Sequence, residues 1–143
     1  MNPSAWVFSL LTIVSWGAAA VFDKLTLGYL SPAVALTLRA LFWTALVLIY
    51  GLGSGLLAAL GSAPGRGVGY LFLSAILGLL GMAGYYSALN RAEASRIVPL
   101  TSAYPLVALL LAVLFLHEPM TGRKALGALL IVTGMWLLNE AGK

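Results

Sequence analysis

The chain has 143 residues, of which 62% are hydrophobic and 8% charged, with a mean hydropathy of +1.01 and a formal net charge of +4. A soluble domain carries roughly a quarter charged residues, and a chain of this length has too little interior to hide so much apolar surface. The composition therefore indicates an integral membrane protein. The absence of cysteine excludes disulfides and thiolate metal sites.

The polar residues argue against an enzyme, a metalloprotein and a nucleic-acid-binding protein. The single histidine and the four acidic residues are spread along the chain, which makes a multidentate metal site or a Ser/His/Asp set implausible. There is also no phosphate-cradling glycine loop. The basic residues stand singly or in pairs between apolar runs, where membrane lipids rather than nucleic acid are the expected partner. We therefore expect no catalytic residues, no metal and no cofactor.

Charged and turn residues divide the chain into five apolar segments, at about 5–22, 32–51, 67–89, 98–116 and 124–138. Each is near the length that a helix needs to cross about 30 Å of hydrocarbon at about 1.5 Å per residue. The first segment is interpreted as a retained helix and not a cleaved signal, because no lysine or arginine precedes it. The sequence thus predicts an all-α integral membrane protein, with a single five-helix domain over residues 1–143.

An odd number of spans places the two termini on opposite sides of the membrane. Positive charge in the short loops is then nearly balanced, with Arg66, Arg123 and Lys124 on the N-terminal side and Lys24, Arg91, Arg96 and Lys143 on the other. Such a chain either inserts in both orientations, so that two copies pair antiparallel, or takes one weakly preferred orientation. Inverted halves around a midplane site are a frequent design of transporters.

Polar and aromatic residues from four of the segments fall in the same half of the bilayer, on the side where the first segment ends. Lipid cannot satisfy such groups, so we expect them to face a bundle interior or a cavity. The candidate substrate-binding residues are Trp16, Arg39, Trp43, Tyr86, Asn90, Thr101 and Tyr104.

Arg39 is the strongest of these candidates. Placing a guanidinium within a membrane span costs free energy, so such a residue marks a functional site by default. It either pairs with Asp23, toward which its side chain leans, or binds substrate directly. Trp43 lies one turn further on the same helical face. Trp16 is either a cavity wall or ordinary core.

The stretch PLTSAYP, residues 99–105, concentrates two prolines and three hydroxyls at the start of an apolar run. Pro105 is expected to kink this helix and to act in gating, with the hydroxyls of Thr101 or Ser102 covering the carbonyls that the kink frees. The alternative is a static bend that serves packing.

Two carboxylates near helix ends are candidates for ion coupling or for structural ion pairs. Asp23 closes the first segment, and Glu118 follows the fourth. Glu118 either takes part in proton coupling, caps the last helix or pairs with Arg123.

A combination of residues spaced along nearly the whole chain matches a known pattern. It comprises Trp16–Gly17, Lys24, Pro32 and Arg39 in the first two helices, and Ala88–Leu89, Pro105, Glu118, Gly127 and Gly134 in the remainder. Together these residues resemble the EamA-type domain of the drug/metabolite transporter superfamily. Most members carry two such domains, in ten helices of inverted orientation, whereas this chain has one. The resemblance therefore implies half of an inverted-repeat transporter of the cytoplasmic (inner) membrane, working as an antiparallel homodimer or as a heterodimer with a sister half.

The resemblance also implies a function, which is secondary transport of small metabolites, amino acids or drug-like solutes by alternating access. The cavity would involve Trp16, Arg39, Tyr86 and Tyr104. The related small multidrug resistance proteins depend on a glutamate in the first helix, and the absence of one before Asp23 argues against simple cation–proton antiport. Two alternatives stay open: a dual-topology ion channel, although no helix shows a polar stripe from end to end, and an accessory subunit or half of a lipid-linked sugar flippase.

Overall fold

The computed structural model describes residues 3–140, and all regular structure in that range is helical. The elements are α1 Pro3–Thr26, α2 Pro32–Ser54, α3 Leu56–Ala59 with a 3-10 turn at Leu60–Ser62, α4 Gly65–Arg91, α5 Ala94–Thr101, α6 Tyr104–Phe115 and α7 Gly122–Glu140. The all-α prediction is confirmed. The chain divides into two compact units, residues 1–90 and 91–143.

Four helical stretches are long and apolar enough to cross a membrane: Ser4–Thr26, Pro32–Ser54, Gly65–Arg91 and Ala94–Phe115. A span needs about 20 residues of helix. α7 has 19 residues but opens with Arg123 and Lys124, and it is not among the four. Length and hydropathy therefore support four of the five predicted spans, and the fifth stays a prediction.

The ends of α2 follow local signals in the sequence. The Ser31 hydroxyl accepts a hydrogen bond from the Val34 amide at 3.5 Å, and Pro32 occupies the start of the helix, where no amide donor is needed. Gly55 terminates the helix in the left-handed conformation, with φ of 71°. The start of this span therefore coincides with its predicted position at residue 32.

α1 continues to Thr26, one turn beyond the predicted end at residue 22. The prediction placed the end before Asp23 and Lys24 because charge marks the edge of a span. Charge does not break a helix, however, and both residues have helical backbone. The extra turn carries Asp23 into contact with other helices.

In the first unit the buried apolar side chains gather toward one end of three helices. The residues are Ala20 of α1, Ala35 of α2, and Tyr86 and Leu89 of α4. At this end Lys24 Nζ donates a hydrogen bond to the Leu89 carbonyl at 2.6 Å, which satisfies an acceptor in the last turn of α4. Most other large apolar side chains remain more than half exposed, as befits helices surrounded by lipid.

In the second unit the segment predicted as one helix over 98–116 is two helices. α5 starts earlier, at Ala94, and the helix is interrupted at Ser102 and Ala103 before α6 begins. Pro105 lies in the first turn of α6, where its missing N–H removes no helical bond. The backbone is therefore broken where the two prolines and the hydroxyls predicted a kink.

Candidate functional site

Three polar side chains from α1, α2 and α4 hydrogen-bond to one another. Arg39 Nη1 donates to Asp23 Oδ1 and also to the Tyr86 hydroxyl, the latter at 2.8 Å. The Tyr86 hydroxyl in turn donates to the same Asp23 oxygen at 2.8 Å. The ion pair considered between Arg39 and Asp23 is thus present, and Tyr86 hydrogen-bonds to both residues. We call these three residues the Asp23–Arg39–Tyr86 cluster.

The three side chains of the cluster are largely buried. The side chains of Arg39 and Asp23 are 20% and 14% exposed, and Tyr86 is 2% exposed. Charges in an apolar span need partners, and here each charge has the other. Because little solvent screens the pair, removing one partner would leave an uncompensated charge, which is far more costly than breaking an exposed pair.

The Arg39 guanidinium also lies against two aromatic rings. Its Cζ is 4.7 Å from the centre of the Trp43 ring and 5.9 Å from that of Tyr86, within the range of cation–π attraction. Arg39 Nε is buried and has no hydrogen-bond partner among the described residues. A buried donor without a partner costs about 1–3 kcal/mol. The guanidinium is therefore anchored through Nη1 and has an unused donor at Nε.

A half-open cavity of about 380 Å³ lies between α2 and α4, with Arg39 in its wall. Its lining residues are Leu36, Arg39, Ala40 and Trp43 on α2, and Ala75, Gly78, Leu79 and Met82 on α4. On each helix these residues follow the spacing i, i+3, i+4, i+7 and so share one face. Among them Arg39 carries the charge and the others are apolar. An apolar pocket with a single placed polar group is typical of small-molecule sites.

Two candidates of the first unit, Trp16 and Asn90, are neither part of the cluster nor packed against the Arg39 guanidinium as Trp43 is. Trp16 lies two turns before Asp23 on α1 and is 64% exposed. Asn90, next to the last residue of α4, is also exposed. Of the first-unit candidates, the structure therefore brings together Asp23, Arg39, Trp43 and Tyr86.

In the second unit the hydroxyls of Thr101 and Ser102 form hydrogen bonds with backbone carbonyls of α5. The Thr101 hydroxyl donates to the carbonyls of Ile97 and Val98 at 2.8 and 3.1 Å, and the Ser102 hydroxyl donates to that of Val98 at 2.7 Å. Such bonds to carbonyls three or four residues earlier are local and accompany helix bends. Tyr104, the first residue of α6, is 60% exposed.

Glu118 pairs with Lys124 rather than with Arg123, which was one of the alternatives for its role. Glu118 Oε2 lies 3.2 Å from Lys124 Nζ, which also donates to the Pro119 carbonyl at 3.1 Å. The cap of α7 is Thr121, whose hydroxyl accepts from the Lys124 amide at 3.3 Å. The pair is well exposed and contributes little to stability. Within residues 3–140, no three acidic or histidine side chains lie close enough together to hold a metal ion.

Sequence reasoning missed two features of this region. One is the bond from Lys24 to the Leu89 carbonyl, and the other is the α4 wall of the cavity. A signal for the wall was present, since Ala75 and Gly78 are small residues one turn apart. It was not decisive, because glycine and alanine occur on several faces of α4 and the sequence does not say which face meets α2.

The sequence matches a known family over nearly its whole length. A family model described as the EamA-like transporter family matches residues 3–140. The chain is also 28% identical over 137 residues to a protein of Bacillus subtilis called uncharacterized transporter YvbV, a match that covers 96% of this chain and 45% of that protein.

Two further relatives each carry the name probable amino-acid metabolite efflux pump. The Escherichia coli protein is 27% identical over 142 residues, covering 92% of this chain and 47% of the relative. The Salmonella typhimurium protein is 28% identical over 144 residues, covering 94% of this chain and 48% of the relative. The chain therefore spans about half the length of these curated relatives. No solved structure matches it significantly.

Proposed function

Because this chain belongs to the EamA-like transporter family, we propose that it is a secondary transporter that moves small metabolites or drug-like solutes across the cytoplasmic (inner) membrane by alternating access. The names of two relatives as amino-acid metabolite efflux pumps support including amino acids among the solutes. The observation that carries the proposal is the Asp23–Arg39–Tyr86 cluster beside the cavity between α2 and α4. A charge kept within an apolar span marks a pathway or a binding site.

In the proposed site Arg39 receives an anionic group of the solute through charge-assisted hydrogen bonds. Asp23 and Tyr86 hold the guanidinium in place, as their bonds to Nη1 support. Trp43 supplies an apolar wall. The other proposed contacts, which complete the pathway in the working transporter, are Trp16, Asn90, Thr101 and Tyr104.

The break between α5 and α6 is the proposed moving element. Alternating access needs positions that absorb a change of backbone angles, and these are commonly element ends. Pro105 keeps the break open, because it has no amide with which to donate to the Thr101 carbonyl. The Thr101 hydroxyl is satisfied on its own side of the break, so α5 can tilt without losing that bond.

The proposed functional unit is an antiparallel dimer of two copies of the chain. The relatives are about twice as long as the matched region, which supports a unit of two such halves. The nearly balanced charge of the short loops supports insertion in both orientations, and inverted halves around a midplane site are a known transporter design. A heterodimer with a sister half is the alternative that the second experiment below distinguishes.

The function is tested with the purified chain in liposomes, by counterflow of radiolabelled amino acids and other small metabolites. We expect solute-dependent accumulation above that of protein-free liposomes, inhibited by excess unlabelled solute. Unitary currents in planar bilayers would contradict the proposal and indicate a channel, because a transporter turns over too slowly to give them. Copurifying polyprenyl lipid without solute counterflow would also contradict it, in favour of a flippase subunit.

The dimer is tested by tagging each terminus and labelling intact and opened cells with a reagent that does not cross the membrane. Labelling of each terminus from both sides is the expected result. A single fixed orientation would exclude the self-paired inverted dimer and favour a sister half.

A further inference from the structure

The cavity between α2 and α4 offers a solute one charged donor that is already held in place. Arg39 Nη1 is occupied by Asp23 and Tyr86, whereas Nε is buried and has no partner among the described residues. Because Nε exposes almost no surface, a solute carboxylate can contact only the Nη2 donors of this guanidinium, through a charge-assisted hydrogen bond, while Asp23 and Tyr86 remain bound to Nη1.

The same cavity offers nothing to an ammonium group. None of its lining side chains is acidic, an amide or a hydroxyl. The face of Trp43 would attract a cation, but the Arg39 guanidinium already lies 4.7 Å from its centre. Asp23 is likewise paired with Arg39. An ammonium would therefore lose its hydration without gaining a partner and would be repelled by Arg39.

We propose that this cavity is the subsite for a small monocarboxylate with a compact apolar body and no ammonium group. This inference rests on the proposed function and narrows its substrate class, because it disfavours amino acids at this position. Arg39 binds the carboxylate, and Asp23 and Tyr86 are positioning residues. The apolar body lies among Trp43, Gly78 and the other apolar lining residues. The cavity volume of about 380 Å³ is near the small end of the range for small-molecule sites, which favours a short apolar body.

The probe is radiolabelled hexanoate, bound at equilibrium to the full chain in phosphatidylcholine nanodiscs. Three competitors share its six carbons: norleucine adds an ammonium, hexanamide removes the charge and hexylamine reverses it. We expect each to compete at least about tenfold more weakly than unlabelled hexanoate. Hexanamide and hexylamine lose the charge-assisted contact with Arg39, and norleucine and hexylamine bring an ammonium group that finds no partner. Competition by norleucine equal to that of hexanoate would overturn the proposal.

A chain-length series from butyrate to decanoate separates a solute from a membrane fatty acid with the same chemistry. An affinity that peaks within the series is expected of a subsite of limited volume. An affinity that rises with every added carbon would point to a fatty acid from the bilayer and would overturn the small-solute assignment.

Two matched variants locate the site on α4. A Cβ built on Gly78 or on Gly81 has no heavy atom within 4 Å, so a side chain has room to begin at either position. Only Gly78 lines the cavity. We expect Gly78→Leu to weaken hexanoate binding at least about tenfold by filling the apolar space, and Gly81→Leu to leave it unchanged. Equal behaviour of two monodisperse variants would overturn the proposal.

Counterflow on the same preparations separates this inference from the proposed function. Transport of amino acids without any hexanoate binding would overturn the inference and leave the transporter. Specific hexanoate binding without transport of any solute would support the subsite and contradict the transporter. Binding and transport of hexanoate together, both weakened by Gly78→Leu, is the result that we expect.

Discussion

Local bonds from a hydroxyl to its own helix occur in both units of the chain, and the first unit adds bonds between helices. In the first, Asp23, Arg39 and Tyr86 find partners on other helices, 16 to 63 residues away in sequence. In the second, Thr101 and Ser102 donate to carbonyls three or four residues earlier on their own helix. Bonds between helices gather charge at one place. Hydroxyl bonds within a helix also occur along the unbroken helices α1 and α2, so the break before α6 is attributed to Pro105 and not to those bonds. The contrast separates a candidate binding site from a candidate hinge.

The largest effect is expected where one charge of the cluster is removed. Asp23→Ala leaves the Arg39 guanidinium mostly buried without a counter-charge, and we expect it to lower the free energy of unfolding by about 3 kcal/mol. The matched control is Glu118→Ala, which breaks the exposed pair with Lys124. It should change the free energy of unfolding by less than about 1 kcal/mol. Survival of the protein in detergent after heating, followed by size-exclusion chromatography, ranks the two variants by the shift in the temperature at which half of the protein is lost. Equal losses would remove the distinction between the two units.

The hinge is tested by restoring a backbone donor at the break. Pro105→Ala supplies an amide that can donate to the Thr101 carbonyl, so α5 and α6 can join into one helix. We expect a folded protein whose counterflow is slower by about tenfold, equivalent to about 1.4 kcal/mol in the barrier. Pro99→Ala, within α5, restores a donor away from the break and should leave the rate unchanged. Equal rates for Pro105→Ala and the unmodified protein would show a static bend.

A smaller effect is expected from removing one hydroxyl of the cluster. Tyr86→Phe keeps the ring and the ion pair but removes the bonds to Arg39 and Asp23. We expect a loss of about 1–2 kcal/mol in the free energy of unfolding. Tyr85→Phe is the neighbouring control outside the cluster, and it should have less effect. The reverse order would mean that the Tyr86 hydroxyl does not hold Arg39.

The smallest effect on stability is expected in the second unit. Thr101→Val keeps the branched shape and removes a hydroxyl that bonds only to carbonyls of its own helix in this structure. We expect the free energy of unfolding to change by about 0.5 kcal/mol or less. Counterflow measured in parallel decides the role of the hydroxyl. Unchanged stability with a tenfold slower rate would show that Thr101 contacts the solute rather than serving the break.

Features encoded over short stretches of sequence were predictable. Apolar runs and turn residues were enough for the helical fold, and Ser31 with Pro32 located the start of α2. The break before Pro105 followed from residues 99–105, because proline and hydroxyl chemistry acts within a turn or two. The end of α1 was missed, since Asp23 and Lys24 mark a membrane boundary without interrupting a helix.

The candidate site was predictable only in part, for a physical reason. Arg39 with Trp43 follows from helical spacing, and Asp23 is near enough in sequence to be a natural partner. The bonds of Tyr86 depend on which face of α4 turns toward α1 and α2. That choice is made by the packing of whole helices, and the several small residues of α4 permit more than one solution. The cavity and the bond from Lys24 to the Leu89 carbonyl depend on the same choice.

The most direct test of the site is solute counterflow by the double variant Asp23→Leu with Arg39→Met. Replacing both members of a buried pair by apolar residues of similar size usually preserves the fold, unlike removing one of them. We predict a monodisperse protein whose counterflow is slower than that of the unmodified chain by at least about tenfold, because the anionic group of the solute has lost its partner. Counterflow at the unmodified rate would show that the Asp23–Arg39–Tyr86 cluster only holds helices together, and that the solute binds elsewhere.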